Sequence, residues 1–317
     1  MKINKIKSGF SSISVIVPVY NDPKGITDTL DSLVAQDYPG DFEIIVADNG
    51  SNDDTISIVM NYQVKYPRLI KLVVEEEIQS SYAARNKGIG IANGSLIAFI
   101  DADMWVGPSW LTEIHDSIKN NNTDYLACNV ELVSESDCIF ASYDIISGFP
   151  IKEYLEKRHF APTCCLVVKS SLFSIVGRFD QKLISSGDYE FGNRVYNAGY
   201  MMRFDPNIIM KHPARNSFQQ IIKKSFRIGR GLYQLSLYHP ELNKSFKNSL
   251  VNSINVSKVS ENNWAFFTFK KNGVIWNDLP FHYKILFYYI DIISKIVKLI
   301  GLAYENAINI KLFDINK

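Results

Sequence analysis

The chain has almost no net charge: 34 Lys and Arg stand against 33 Asp and Glu, for a formal balance of +1. So even a balance gives no bulk electrostatic reason to expect a nucleic-acid partner. Cysteine is scarce. The four present, Cys128, Cys138, Cys164 and Cys165, show no metal-type spacing. The vicinal pair Cys164-Cys165 lies in an apolar, strand-like run and reads as buried rather than redox active. There is no internal repeat and no low-complexity linker. The first twelve residues are basic and lack an apolar core region, so no signal peptide is expected. A membrane-spanning run is missing as well. Even in the apolar stretch 281–304, only six uncharged residues separate Lys284 from Asp291, against the ~20 a bilayer requires.

What the chain does have is hydrophobic content of 46%, enough for a substantial core over 317 residues. It also has one conspicuous run, Leu96-Ile97-Ala98-Phe99-Ile100-Asp101-Ala102-Asp103. An apolar strand there ends in two carboxylates spaced i, i+2. Isolated carboxylates are expensive to bury, so acids at a strand's end belong in a cleft holding something cationic. A divalent metal with hard oxygen ligands, itself bridging to phosphates, is the natural candidate.

The surroundings give that pair its context. Residues 13–17 form a β-branched strand, followed by Pro18-Val19-Tyr20-Asn21. A helical pattern then carries Ile26, Leu30, Leu33 and Val34 and closes at Tyr38-Pro39-Gly40. A second strand at 42–47 runs into the polar turn Asp48-Asn49-Gly50-Ser51-Asn52-Asp53-Asp54, and a helix follows over 55–65. A third strand at 70–74, a helix around 82–92 and the acid-tipped strand complete four strand–helix alternations. Short connections of this kind predict right-handed βαβ units and a mostly parallel sheet. Ligands of such sheets bind beyond the carboxyl ends of the strands, where Tyr20, Asn21, Asp48 and Asp103 all fall.

These pieces resemble the inverting family 2 glycosyltransferases in order and spacing as well as content. The matching segments are residues 15–21, Leu33-Val34-Ala35-Gln36-Asp37-Tyr38-Pro39, Ile45-Val46-Ala47-Asp48-Asn49-Gly50-Ser51, Ala83-Ala84-Arg85-Asn86-Lys87-Gly88 and Phe99-Ile100-Asp101-Ala102-Asp103. Gly187-Asp188-Tyr189-Glu190-Phe191-Gly192-Asn193-Arg194 looks like the family's acidic acceptor-side motif, with Gly187 where a Glu is frequent. Residues 161–169 and 173–180 resemble the floor between donor sugar and acceptor, with Cys where small polar residues are common. The likeness covers residues 12–235. It implies an α/β chain of GT-A type: a Rossmann-like αβα sandwich with a mostly parallel central sheet, plus a C-terminal helical appendage.

The resemblance also assigns roles. Asp103 coordinates a divalent metal, Mn2+ or Mg2+, with Asp101 supporting the metal waters or the ribose. A metal clamped by carboxylates neutralises the charge developing on a nucleoside diphosphate leaving group. His212, before Pro213 at the end of a strand-like run, is a third metal candidate and suits manganese better than magnesium. A hydrogen-bonded structural His is the alternative. Asp48 is expected to accept from the nucleobase, with an Asx-turn as the competing use. Pro18 and Tyr20 form the wall against the base, Asn21 and Asn49 lie beside it, and Arg85 orients the acids or meets the diphosphate. Asp188 is the expected base for the acceptor hydroxyl. Glu190 competes for that role, on the same or the opposite side, and a helix N-cap is the bland reading of Asp188.

After His212, an amphipathic helix is predicted from Phe218 to about Leu235, with Lys223, Lys224, Arg227 and Arg230 clustered on one side. Gly229 and Gly231 are expected to interrupt it, as close packing or a hinge. At 281–304, Lys284, Tyr288, Asp291, Lys295 and Lys298 make one polar stripe. That pattern predicts an amphipathic helix, either lying in the membrane interface or packed on the protein. The expected organisation is a catalytic domain over 1–240, a connecting segment over 241–280 and a C-terminal helix and tail over 281–317. The expected setting is cytoplasmic, with peripheral contact to the cytoplasmic membrane face. The expected partners are a nucleotide diphosphate-sugar donor, UDP-linked, and a glycan, lipid-linked or glycolipid acceptor, with no nucleic acid. Two other readings exist. A sugar-phosphate nucleotidyltransferase would carry a Gly-rich loop with a Lys after the first strand, which Pro18-Val19-Tyr20-Asn21 does not supply. An inactive nucleotide-sugar-binding scaffold would have no use for intact Asp101, Asp103 and Asp188.

Overall fold

The computed structural model describes residues 9–134, 137–242, 276 and 279–315, with side chains as far as residue 310. Most of the expected connecting segment, and the first eight residues, lie outside the described residues. The chain forms two units. One gathers Met1–Glu131, Ile151–Gln181 and Phe191–His212, and the other Leu132–Pro150, Lys182–Glu190 and Pro213–Lys317.

The first unit is built on a sheet. In chain order come β1 (Ile13–Val19), α1 (Pro23–Val34), β2 (Phe42–Asp48), α2 (Thr55–Lys65), β3 (Ile70–Val74), α3 (Ser81–Ile91) and β4 (Leu96–Phe99). These are the four predicted alternations. Val15, Ile16, Val17, Ile44, Ile45 and Val46 are all buried, which is why β1 and β2 read as continuous apolar runs rather than alternating ones. β1 pairs in parallel with β2 and β4, and β2 with β3. The register sets Val19 opposite Asp48 and Ile16 opposite Phe99, so the three carboxyl ends lie side by side. Asp22 caps α1 by accepting from the Gly25 N–H at 2.9 Å, and Pro23 stands at the first helical position. α3 lies close on β1 because residue 88 has no side chain: a Cβ there would meet Ile16 Cγ2 at 2.8 Å.

Beyond β4 the sheet changes character. β5 (Trp105–Val106), α4 (Trp110–Asn121), β6 (Tyr125–Val133), α5 (Ile139–Ser147), α6 (Ile151–Arg158), β7 (Leu166–Lys169), α7 (Ser171–Ile175), α8 (Gly187–Asn197) and β8 (Met202–Pro213) follow. The eight strands run in the order β3-β2-β1-β4-β7-β6-β8-β5. β7 is antiparallel to β4 and β6, and β5 is antiparallel to β8. The sheet is therefore mixed, and its parallel half is the one the sequence pattern described. Cys164 and Cys165 are buried as expected, but in a short 3-10 turn leading into β7 rather than in a strand, and burial pushes the Cys165 thiol well up. Phe99, Phe173, Phe179 and Phe191 pack ring against ring beneath β4.

The second unit is helical. α5, α9 (Phe218–Tyr238) and α10 (Phe281–Ile315) share a core of Tyr143, Ile146, Ile221, Phe287 and Ile290. α9 runs unbroken past Gly229 and Gly231, which corrects the expected interruption and leaves close packing, not a hinge, as their use. Both glycines are buried at close approaches. A Cβ on Gly229 would run into the Lys298 carbonyl, and one on Gly231 into Ser185. Gly301 meets the Phe226 carbonyl in the same way. Glycine costs a helix about 1 kcal/mol per position, and here it lets two helix backbones come together. Among the described residues, no helix is long and apolar enough to cross a membrane.

Candidate active site

The ends of β1, β2 and β4 bring the first group of expected residues together. Asp48 closes β2, fully buried. Its Oδ1 accepts from the N–H groups of Gly50 and Ser51 at 3.0 and 2.9 Å, which is the Asx-turn left open by the sequence. Its Oδ2 is buried with no hydrogen-bond partner. A buried acceptor left this way costs about 1–3 kcal/mol, so a donor N–H reaching it would be strongly favoured. Asn49 spends its side-chain amide on the carbonyls of Glu75 and Ile78, at 3.1 and 2.8 Å, and so positions the loop. Asn21 adopts φ +49° and ties the two strand ends together. Its N–H donates to Ser51 Oγ and its Oδ1 accepts from the Asn52 N–H, each at 2.9 Å. Pro18 is half-buried, and Tyr20, just past β1, is 50% exposed.

The acids after β4 are held differently from one another. Buried Arg85, on α3, donates from Nη2 to Asp101 Oδ1 at 2.6 Å, and its Nε has no partner. This short charge-assisted bond fixes Asp101. Thr29 on α1 donates to the Met104 carbonyl at 2.6 Å and pins the turn between them. Asp103, with 41% of its side chain exposed, lies 3.8 Å from Nε2 of His212, which β8 delivers to the same place. Desolvation pushes the Asp103 carboxyl above the usual carboxylate range. His212 opposes the shift, and Asp101 and Asp22 add to it. Among the described residues, no three His, Cys, Asp or Glu side chains form a metal cage by themselves. An oxygen and a nitrogen donor on an open face still fit a divalent ion that completes its shell with substrate phosphates and water, and the imidazole favours manganese over magnesium.

Asp188 and Glu190 belong to the second unit. Asp188 is half-exposed in the first turn of α8, and its Oδ1 accepts from the Tyr189 N–H at 2.9 Å. Glu190 is buried, 4.0 Å from Nδ1 of His239. Two residues apart on a helix, they point about 200° apart, which resolves the question of sides: they are opposite. The loop before α8 is anchored by a relay that the sequence reading missed. Gln234 Oε1 accepts from the Ile184 N–H at 2.8 Å, and Gln234 Nε2 donates to Glu305 Oε1 at 2.7 Å. Arg230 Nε donates to Glu305 Oε2 at 2.6 Å. Glu305 lies 75 residues from Arg230 in sequence, and no local pattern signals the pairing. Asp22 was also passed over, although its place next to Asn21 at a strand end was a usable signal.

An open sheet that delivers acids at the ends of adjoining parallel strands defines an α/β enzyme of the GT-A glycosyltransferase class. The solved structure of the mannosyltransferase PcManGT from Pyrobaculum calidifontis, in complex with GDP-Man and Mn2+, shares this fold. Its TM-score is 0.62 at 18% identity, over 92% of this chain and 88% of that one. Glycosyl transferase family 2 matches residues 14–173, and the chain belongs to that family. It is 37% identical over 225 residues to the glycosyltransferase AglE of Haloferax volcanii, 70% of this chain and 73% of that protein. It is 26% identical over 235 residues to a Methanococcus voltae protein, 68% of this chain and 71% of that one. That relative is named as a dolichyl N-acetyl-α-D-glucosaminyl phosphate 3-β-D-2,3-diacetamido-2,3-dideoxy-β-D-glucuronosyltransferase.

Proposed function

We propose that this glycosyltransferase moves a sugar, with inversion, from a UDP-sugar to a hydroxyl of a lipid-linked, glycolipid or glycan acceptor. The observation that carries the donor reading is the meeting of Asp103 and His212 at 3.8 Å, beside an Asp101 held by Arg85, at the carboxyl end of the parallel strands. Asp48 Oδ2 accepts from a nucleobase N–H, Tyr20 and Pro18 flank the base, and Asn21 and Asn49 keep the loop in shape. Asp103 and His212, with Asp101 beside them, would hold a divalent ion, whose positive charge would supply Lewis-acid stabilisation of the departing diphosphate. The Mn2+ of the Pyrobaculum calidifontis structure supports this choice of group.

Asp188 takes the proton of the acceptor hydroxyl as that oxygen attacks the anomeric carbon in line. The new C–O bond forms as the bond to the diphosphate breaks, and the nucleoside diphosphate leaves with the electron pair. The dolichyl-linked acceptor in the Methanococcus voltae protein's name supports a lipid-linked acceptor here. The test is calorimetric titration of UDP and GDP, with and without manganese, into the chain and its Asp103→Ala variant. The expected result is manganese-dependent binding of UDP that Asp103→Ala loses. Binding that ignores both metal and variant removes the metal from the reading, and no nucleotide binding in any condition removes the donor.

A further inference from the structure

The first turn of α8 carries Asp188, and what aims it lies far away in sequence. Residues 182–186, just before α8, include no helix or strand residue. Ser186, the last of them, holds φ +69°, a left-handed conformation that a non-glycine residue keeps where its surroundings impose it. Its carbonyl accepts from the Glu190 N–H at 3.0 Å and so begins the helix. The direction in which α8 leaves, and with it the place of Asp188, is therefore set by where this loop is held.

α9 holds it at two points. Gly231 lets Ser185 come so close that a Cβ on residue 231 would stand 2.5 Å from Ser185 Cβ and 2.8 Å from its carbonyl oxygen. Nearly one turn on, Gln234 Oε1 accepts from the Ile184 N–H at 2.8 Å. An amide can present either end to a loop, and Glu305 of α10 makes the choice. A carboxylate accepts and does not donate, so Gln234 turns Nε2 to Glu305 Oε1, at 2.7 Å, and leaves Oε1 for the loop. Arg230 Nε donates to Glu305 Oε2 at 2.6 Å and holds the carboxylate in turn. Gln234 and Glu305 are both buried, so water competes little for these bonds. The approach of α9 to α5 is of another kind. Lys224 Nζ lies 3.7 Å from the buried Asp144 carboxylate, beyond hydrogen-bond reach. Desolvation, and after it the Arg215 charge, push that ammonium down to about 8, so burying Lys224 is a cost to the fold. The relay, by contrast, ties α9 down with short bonds.

We infer that Gln234, oriented by Glu305 of the C-terminal helix, is a positioning residue for Asp188, so that α10 takes part in sugar transfer through α9 and the loop. This rests on the reading of Asp188 as the base. The full chain is assayed with manganese and saturating UDP-glucose or UDP-N-acetylglucosamine for UDP release, water taking the place of the acceptor hydroxyl. Amide hydrogen exchange is followed over residues 182–190. Gln234→Leu should slow release about 10- to 100-fold, the larger loss being that of a misplacement of about 1 Å. UDP affinity and circular dichroism should stay unchanged, and protection should be lost over 182–190 but not in β1, β2 and β4. Gln234→Glu sets two carboxylates side by side and should act in the same way. Combined with Glu305→Gln it swaps acid and amide, restores an acceptor for the Ile184 N–H, and should recover most of the rate and the protection. A role in general stability predicts the reverse, because the second substitution disturbs a second buried group. The inference is overturned if Gln234→Leu releases UDP at the unmodified rate, if exchange over 182–190 does not change, or if the swap is worse than Gln234→Glu alone. Asp188→Asn separates this inference from the reading beneath it. Release at the unmodified rate in that variant removes the base itself, whereas release lost there and intact in Gln234→Leu removes only the positioning role.

Discussion

Glu305→Leu tests whether the buried relay holds the second unit together. Glu305 is buried, and its two oxygens are spent on Arg230 Nε at 2.6 Å and Gln234 Nε2 at 2.7 Å. Removing one partner of a buried ion pair costs about 3–5 kcal/mol, because the other charge stays buried. The Arg230 side chain is 28% exposed, so water reaches part of the guanidinium and the ion-pair loss falls to about 2–3 kcal/mol. The amide of Gln234 also loses an acceptor, worth about 1 kcal/mol, for a total near 3 kcal/mol. Adding Arg230→Met should recover most of the ion-pair share, since an apolar pair of similar volume is tolerated where a lone charge is not. Guanidinium unfolding followed by circular dichroism supplies both numbers. With two units in the chain, the transition has to be tested for a single step before it is converted to a free energy. If the two substitutions add within ~0.5 kcal/mol, there is no coupling, and the reasoning fails.

Two further outcomes are expected. Asp188→Asn should keep UDP binding and abolish sugar transfer, whereas Glu190→Gln should perturb stability before chemistry, because Glu190 is buried beside His239; transfer near the unmodified rate in Asp188→Asn places the base elsewhere. Lys224→Met should raise stability at neutral pH by about 1 kcal/mol, the full shift being discounted because nearly a third of that side chain is exposed. The sign follows from a folded-state value near 8 against 10.5. Below 8 both states carry the proton and the fold bears the whole cost of it. Between 8 and 10.5 only the unfolded chain binds the proton, so this residue's contribution rises with pH. Denaturant midpoints at pH 7 and 9.5 should therefore differ less in Lys224→Met than in the unmodified chain, and a variant less stable at pH 7 contradicts the argument.

The parallel half of the sheet was readable because both of its faces are covered. Val15-Ile16-Val17 and Ile44-Ile45-Val46 are apolar without alternation, and strand ends at Asn21, Asp48 and Asp101 are marked by an abrupt change to polar residues. The strand-end residues followed from the same rule, since adjoining parallel strands put their carboxyl ends together. The antiparallel half was not readable in that way. β7 lies beside β4, and β6 beside β7, through pairings some 40 to 70 residues away in sequence, and no short pattern states the direction of such a pairing. The split between Asp188 and Glu190 needed the helix itself, because only the start of α8 at Gly187 fixes which way each points. Gln234 and Glu305 were hidden for a related reason. Each looks like an isolated polar residue in an amphipathic helix, and their use appears only when α9 and α10 lie side by side.

The C-terminal helix shows what periodicity does and does not encode. The stripe of Lys284, Tyr288, Asp291, Lys295 and Lys298 correctly marks two faces, and habit assigns the polar one to water. The packing reverses that assignment over most of the length. Gly229 and Gly301 let α9 and α10 approach backbone to backbone, and the charged residues of α10 fall on the flank of that contact, where Arg230 and Gln234 can satisfy Glu305. Phe287 and Ile290, with Tyr283 packed beside them, then carry the apolar core contact with Tyr143, Ile146 and Ile221. Ile285, Tyr289, Ile293, Ile296 and Ile300 are left facing out because the inner face is already taken. Hydrophobic burial is worth about 25 cal/mol per Å2, so a chain that keeps such a stripe exposed forgoes several kcal/mol that a polar stripe would not put at stake. Substitutions at Ile296 and Ile300 should therefore disturb folding little, since both side chains are about half exposed, at 50% and 52%.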